Sequence, residues 1–186
     1  MRRTLAHTAA VTAAAAALAL VSPATRPALA QTTPVRPVLT LATAGEMATA
    51  ARRYADERAW AVVVAIVDAG GHLLLLERMD GAQLGSIDVA WQKARSAVLF
   101  RRPTREIQGW VDDGNVAVLG LTGAVPLAGG RPVRLAGEVV GAVGISGMTA
   151  AEDDEIARAA LARLDTSQRS PASSDREVDD DGDDGG

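Results

Sequence analysis

The stretch "AVVVAIVDAGGHLLLLERMDGA", residues 61–82, places a glycine pair between two apolar runs. The first run is rich in β-branched residues, which is typical of a strand buried on both faces. A glycine pair supplies the positive-φ positions of a tight turn, so residues 61–78 are predicted to form a β-hairpin. A phosphate-binding loop would need a helix directly after the glycines, whereas a second strand-like run follows them. The glycine pair is therefore interpreted as a turn.

Two helices are predicted on either side of this hairpin. Residues 43–59 carry apolar side chains three and four positions apart, and Thr43 with Glu46 forms a capping-box pattern. The second helix is predicted to begin at Ser86 as its N-cap and to stop at Pro103.

The remaining elements complete an alternating pattern of helices and strands. A short helix is predicted from Thr104, and a last helix runs from a capping box at Thr149 to about Leu164. Three strand-like segments lie between them, at residues 115–121, 126–135 and 137–146. Hairpin-connected strands with helices before, between and after them indicate an α+β domain on an antiparallel sheet. The glycines of the last strand are expected to allow close approach of another backbone or a ligand.

The two ends of the chain differ from its middle. A basic start, a short apolar run and a small-x-small site are typical of a secretory signal peptide, so residues 1–30 are predicted to be removed during export to a secreted or periplasmic location. The apolar run is shorter than the ~20 residues of a membrane span, so no span is expected after processing. Residues 31–37 form a lead segment, and residues 38–164 form the domain. Residues 165–186 carry eight acidic side chains against two arginines and are predicted to be a disordered tail.

Composition excludes several classes of function. The net charge is −4, and no basic face remains for nucleic-acid binding. The chain has no cysteine, which excludes disulfides and thiolate chemistry. After removal of the signal peptide only His72 remains among the histidines, which excludes a zinc site of the usual multi-histidine or cysteine type. His72 itself is interpreted as an exposed structural residue.

Several cationic side chains are candidate ligand contacts, and each has a structural alternative. Arg78, at a strand end, either binds a carboxylate or propionate or pairs with a neighbouring acid. Lys93, on the second helix among alanines, is either an anion partner or Schiff-base former, or a packed stem with a solvated ammonium. Arg101 and Arg102 with the helix start at Thr104 form either an anion site or a capped corner.

Five segments in this order resemble the GlcG/HbpS-type haem-binding family, also called haem-degrading domain proteins. They are "VDAGGHLLLLERMDGA", "AWQKARSAVLF", "RPT", "GGRPV" and "GEVVGAVGISG". The resemblance covers residues 38–164, and it implies profilin-like α/β/α layers around a five-stranded antiparallel sheet in a homo-oligomer. It also implies haem as the cofactor, and a place in haem and iron handling for exported members.

The resemblance also implies site residues. In secreted relatives a threonine oxygen is assigned to the iron, and the matching segment here is "KARSAVLFRRPT", residues 93–104. Thr104 keeps the threonine of this motif and is the first candidate for the iron. Ser96, which stands where relatives commonly have threonine, is the second. Arg78 or Arg102 is expected near the haem propionates, and Lys93 lies in the same segment.

The sequence therefore predicts an exported, oligomeric haem-binding protein. Haem degradation is a weaker second expectation, since no catalytic constellation is found. Two alternatives stay open. One is an enzyme or accessory domain acting on another small anionic metabolite, which would use Lys93 and Arg78. The other is an assembly module without catalysis.

Overall fold

A computed structural model describes residues 36–169 of the chain. The elements are α1 (Leu41–Asp56), β1 (Val63–Asp68), β2 (Leu73–Arg78), α2 (Ser86–Phe100), α3 (Thr104–Asp112), a 3-10 helix (Val116–Gly120), β3 (Gly130–Leu135), β4 (Glu138–Ser146) and α4 (Ala150–Arg169). The predicted signal peptide, most of the lead segment and the acidic tail from residue 170 lie outside the described residues. Helix α4 continues to Arg169, beyond its predicted end. None of the helices in the described range is long and apolar enough to cross a membrane.

The sheet has the strand order β2-β1-β4-β3, and every neighbouring pair is antiparallel. The predicted hairpin is confirmed, with Asp68 N–H donating to His72 O at 2.9 Å across the turn. Of its two glycines, Gly71 takes the positive φ, at 81°. The β3–β4 hairpin turns at Ala136 and Gly137, whose φ values are 48° and 81°.

The prediction of a fifth strand at residues 115–121 is wrong, because this segment forms the 3-10 helix and the sheet of the described residues has four strands. Gly114, at φ 92°, ends α3, and Asn115 N–H bonds back to Trp110 O at 2.8 Å. This return keeps the chain beside α3 and away from a sheet edge. Val116 and Leu119 are consequently exposed, and the short apolar run lacks the burial that a strand pairing would provide.

Helices cover both faces of the sheet and produce three layers. On one face, α1 and α4 enclose the larger core, which includes Met47, Ile66 and Ile156. On the other face, α2 packs through its alanines, and α3 lies beside it. Because both faces are covered, β1 is buried almost throughout, as its β-branched composition predicts.

Helix α2 lies unusually close to β4 because the strand has glycine at the contact. A Cβ atom at Gly144 would collide with Ala90 O and would lie 2.6 Å from Ala94 N. The expectation that strand glycines permit close approach of another backbone is confirmed. This contact brings the C-terminal half of α2, and the corner after it, against β3.

Two of the predicted N-caps are displaced. Helix α1 begins at Leu41, and the side chain of Thr40 caps it by accepting from Thr43 N–H at 3.1 Å. The Thr43–Glu46 capping box is therefore wrong, because the chain is already helical there. The same displacement occurs in α2, where the N-cap is Gly85 and not Ser86.

The capping box of α4 is confirmed. Thr149 N–H donates to Glu152 Oε2 at 3.0 Å, and Glu152 N–H donates to Thr149 Oγ1 at 3.4 Å. Hydrogen bonds from the hydroxyl and N–H of Thr149 hold the pKa of Glu152 below its ordinary value. The start of α4 is thereby set, and with it the positions of the acidic residues that follow.

Candidate functional site

An arginine-rich pocket of about 470 Å³ lies between β3, α4 and the corner that joins α2 to α3. Its lining residues, which we call the arginine pocket, are Arg101, Arg102, Pro103, Glu106, Arg131, Pro132, Arg134 and Leu161. Four guanidinium groups face one carboxylate in this set, so the pocket is net cationic. Its chemistry favours an anionic ligand.

The corner that forms one wall of the pocket has a defined conformation. Helix α2 ends at Phe100, and Arg101 adopts the left-handed region at φ 56°, which costs a non-glycine residue about 1 kcal/mol. Arg134 of β3 donates from Nη2 to Arg101 O at 2.8 Å. This bond ties the corner to β3 and thereby brings residues from two distant parts of the sequence into one pocket.

The arginines of the pocket differ in how their charges are compensated. Arg102 Nη1 lies 3.7 Å from Glu106 Oε2, and its guanidinium stands 4.8 Å from the centre of the Trp110 ring. Within residues 36–169, neither Arg101 nor Arg134 forms an ion pair with a carboxylate. These two side chains are the ones that an incoming anion would neutralise.

Arg131 faces a buried carboxylate on α4. Its Nε and Nη2 donate to the two oxygens of Asp154 at 2.8 and 2.7 Å, which is the bidentate geometry of a strong pair. Arg105 and Arg158 approach the same carboxylate at 3.2 and 3.8 Å. Asp154 lines a second pocket of about 340 Å³ together with both of these arginines. The further acidic residues of that lining are Asp112 and Glu155. The second pocket therefore has mixed charge.

Thr104, the first candidate for iron, is fully buried at the start of α3. Its Oγ1 donates to Leu127 O at 2.6 Å and accepts from Gly130 N–H at 2.9 Å. The hydroxyl thus holds the loop before β3 in place, and it does not line either of the pockets above. Iron ligation by this oxygen would require the loop to move, and it stays a prediction.

Ser96, the second candidate, is also fully buried. Its Oγ accepts from Val125 N–H at 3.0 Å, in the same loop that Thr104 holds. Both hydroxyls of the matching segment therefore anchor residues 125–130 to the helical layer. An iron-binding role for Ser96 likewise stays a prediction.

Lys93 is almost completely buried and is paired. Its Nζ lies 2.7 Å from Asp153 Oδ2 on α4 and donates to Ile145 O at 3.0 Å. Burial raises the pKa of Asp153 above its ordinary value, against the attraction of the Lys93 ammonium and the hydrogen bonds from Lys93 and Met148 N–H. The alternative of a packed stem with a solvated ammonium is therefore wrong for the ammonium, which is buried and held by protein oxygens.

Arg78 lies apart from the other predicted residues. It ends β2, which is one edge strand, whereas Arg131 and Arg134 belong to β3, the other edge. Its side chain is exposed, and Nη1 donates to Ala82 O at 3.2 Å. The structure thus brings Lys93, Ser96 and Thr104 to one interior region and places Arg102 at the pocket beside it. It separates Arg78 from all of them.

Sequence reasoning did not find the contributions of β3 and α4. Arg131 and Arg134 stand in "GGRPVRL", a strand-like segment with no sign of which helix corner it meets. Asp154 follows the capping box of α4 and resembles an ordinary acidic residue near the start of a helix. No group of three or more histidine, cysteine or acidic side chains among residues 36–169 is arranged for metal binding.

Fold and pocket together define a three-layer α+β protein with a cationic ligand pocket at one edge of its sheet. The pattern of the haem degrading protein HbpS-like family matches residues 39–162, and the chain belongs to that family. The GlcG/HbpS resemblance is confirmed.

Individual relatives agree with this assignment. Protein GlcG of Escherichia coli K12 is 38% identical over 109 residues, which are 59% of this chain and 81% of GlcG. A crystal structure of a Streptomyces reticuli HbpS double mutant has a TM-score of 0.66 at 34% identity and covers 76% of this chain and 99% of that one. A PduOC structure solved as a complex with haem has a TM-score of 0.63 at 31% identity, with 68% and 94% covered.

Proposed function

We propose that this protein binds haem, with the arginine pocket receiving the propionates. The single observation that carries the proposal is the gathering of four arginines from two distant chain segments around one pocket. Membership of the HbpS-like family and the haem complex of PduOC support it.

The residues of the pocket fit the edge of a haem group. Propionates are carboxylates, and arginine is the side chain that pairs with carboxylates in planar, bidentate geometry. Arg101 and Arg134 bring no carboxylate of their own from the described residues. Pro103, Pro132 and Leu161 supply apolar contact for the porphyrin beside them. The volume of about 470 Å³ lies within the ~300–1,000 Å³ of small-ligand sites.

The described residues offer weaker candidate ligands for the axial position of the haem iron than for the propionates. Within the described residues the histidine is His72, whose side chain is 84% exposed in the β1–β2 turn and does not line the arginine pocket. A neutral hydroxyl such as that of Thr104 is a weaker iron ligand than imidazole or thiolate. Haem, when bound, would supply a redox-active iron. The residues of this chain would hold and orient the porphyrin, with modest affinity.

Haem degradation and export are further parts of the proposal. The family description supports degradation, and bound haem that keeps its spectrum with a reductant and peroxide would contradict it. Export follows from the sequence of residues 1–30. N-terminal sequencing of the protein recovered outside the cytoplasm should find residue 31 first, and an uncleaved, retained chain would contradict it.

A small anionic metabolite is the second candidate ligand, favoured by the charged side chains that line both pockets and by Arg101 and Arg134, which form no ion pair within residues 36–169. A thermal shift with citrate or pyrophosphate, and none with haemin, would select it. A stable oligomer with no shift from any of these ligands would instead favour the assembly module.

The deciding experiment is a haemin titration followed by Soret absorbance. Arg134→Ala should weaken binding by about ten- to a hundredfold, since a charge-assisted carboxylate contact contributes ~1.5–3 kcal/mol. Arg78→Ala is the matched control, because both side chains donate to a backbone carbonyl but only Arg134 lines the pocket. Absence of a Soret change at any protein excess would refute haem binding. Equal weakening of haemin binding by both variants would show that the propionate site is not the arginine pocket.

A further inference from the structure

The acidic end of the chain complements the arginine pocket in charge. Residues 175–184 contain seven acidic side chains against one arginine, hence a net charge of −6. We propose that this segment binds intramolecularly in the arginine pocket and competes there with the propionates of haem. The competition rests on the proposed function, whereas the contact between the segment and the pocket does not.

The course of α4 places the acidic segment within reach of the pocket. Ala150, Ala151 and Asp154 near the N-terminus of α4 line the second pocket, and Leu161 further along lines the arginine pocket. Helix α4 therefore passes the arginine pocket before it ends at Arg169. At 1.5 Å per residue, its end lies roughly 12 Å beyond Leu161 along the helix axis.

The length of chain after α4 is sufficient for a return to the pocket. An extended chain spans at most ~3.3–3.6 Å per residue, so Asp175 can lie up to roughly 20 Å from Arg169. By the same measure, Asp179 can lie up to roughly 35 Å away. Both distances exceed the ~12 Å that separates the end of α4 from the level of the pocket. The segment can therefore reach the pocket without any change in α4.

The charges of the pocket are arranged to accept more than one carboxylate. Glu106 offsets part of the charge of Arg102, and Asp154 is committed to Arg131. Arg134 donates to Gly137 O and Arg101 O, and within the described residues neither Arg101 nor Arg134 forms an ion pair with a carboxylate. A tethered anion has an effective concentration in the ~mM range, so even a weak carboxylate contact is populated.

The contact is tested without haem by paramagnetic labelling. The chain has no cysteine, so Ser174→Cys in the full chain accepts one spin label. At about 0.01 M salt, the label should broaden the amide signals of Arg101 and Arg134, and at about 1 M salt, where the screening length is ~3 Å, the broadening should disappear. The amides of Arg52 and Glu77, an ion pair that involves the opposite edge strand, serve as the unaffected reference.

A tail of reduced charge, which we call the neutral tail, provides the matched variant, because it changes the net charge of residues 175–184 from −6 to −1. It carries Asp179→Asn, Asp180→Asn, Asp181→Asn, Asp183→Asn and Asp184→Asn. The same label in this variant should broaden none of the pocket signals. Pocket signals that stay sharp with the native tail, or that broaden equally with the neutral tail, would overturn the proposal. If the label on one molecule broadens the pocket signals only of other molecules, the tail does not bind the pocket of its own chain, and the intramolecular contact is overturned.

Haemin affinity tests the competition. At low salt, the neutral-tail variant should bind haemin about tenfold more tightly than the native chain. The native tail, at an effective concentration of ~mM, occupies the pocket as a weak anionic ligand, and haemin must displace it. Equal affinities would overturn the competition. Broadening together with no Soret change in either protein would refute haem binding while supporting the tail contact, so the two failures are distinguishable.

Discussion

Lys93 Nζ and Asp153 Oδ2 lie 2.7 Å apart, and the two side chains are 3% and 2% exposed. The pair joins α2 on one face of the sheet to the start of α4, and Lys93 also donates to Ile145 O of β4 at 3.0 Å. Asp153 Oδ1 accepts from Met148 N–H at 3.1 Å. Four chain segments thus meet at one buried ion pair beside the region that holds Ser96 and Thr104.

Breaking this pair from either side should be strongly destabilising. Lys93→Met or Asp153→Leu leaves a buried charge without its partner, which costs about 3–5 kcal/mol. The double variant should recover most of that loss, because two apolar side chains need no compensation. Urea unfolding followed by circular dichroism measures the free energies. Additive losses in the double variant would show that the residues contribute independently.

The stability difference attributable to Asp153 should depend on pH. Because burial raises its pKa above 3.8 in the folded protein, the folded state holds a proton that the unfolded state releases. Its contribution to stability is therefore fully present below pH 3.8 and is lost as the pH rises through the folded pKa. In urea unfolding, the free energy of unfolding of the wild-type protein should exceed that of Asp153→Asn by more at about pH 4 than at about pH 7. A difference that shrinks in acid would show that attraction to Lys93 dominates.

Gly144→Ala should loosen the contact between α2 and β4. The added methyl collides with Ala90 O, and overpacking of this kind costs about 1–3 kcal/mol or more. Gly109→Ala on α3 is the matched control, since nothing lies within 4 Å of its Cβ position, and it should stabilise by about 0.5–1 kcal/mol. Thermal unfolding of both variants measures these changes in stability. A Gly144→Ala protein as stable as the wild type would mean that the helix lies further from the strand.

Thr104→Val should separate the structural role of the hydroxyl from iron binding. The substitution keeps the shape but leaves Gly130 N–H buried without its acceptor, at a cost of about 1–3 kcal/mol. Thr104→Ser keeps the oxygen and should retain most of the stability. If the oxygen ligates iron, the Soret band of the haemin complex changes in the valine variant and not in the serine variant. A band unchanged in both would remove Thr104 from the iron while leaving haem binding intact.

The local features of the chain were predictable because short-range chemistry decides them. The β1–β2 hairpin follows from a glycine turn between β-branched runs, and the capping box at Thr149 is confirmed by its hydrogen bonds. Residues 115–121 were mispredicted because a short apolar run has no intrinsic preference between an edge strand and a surface turn. Thr40 was missed as the cap of α1 because a second threonine pattern stands one turn later.

The sequence by itself determined the helices, the strands that form the sheet, the hairpins and the family, since each depends on residues close together in the chain or on a matching order of segments. Only the tertiary structure decided where the functional groups lie. It turned Lys93, Ser96 and Thr104 inward to hydrogen-bond partners, placed Arg78 at the opposite sheet edge, and brought Arg102 and Arg134 to one pocket. The strand order sets the position of Arg78, whereas the inward contacts of α2 depend on how closely this helix packs on β4, a distance set by a glycine of one element facing alanines of another.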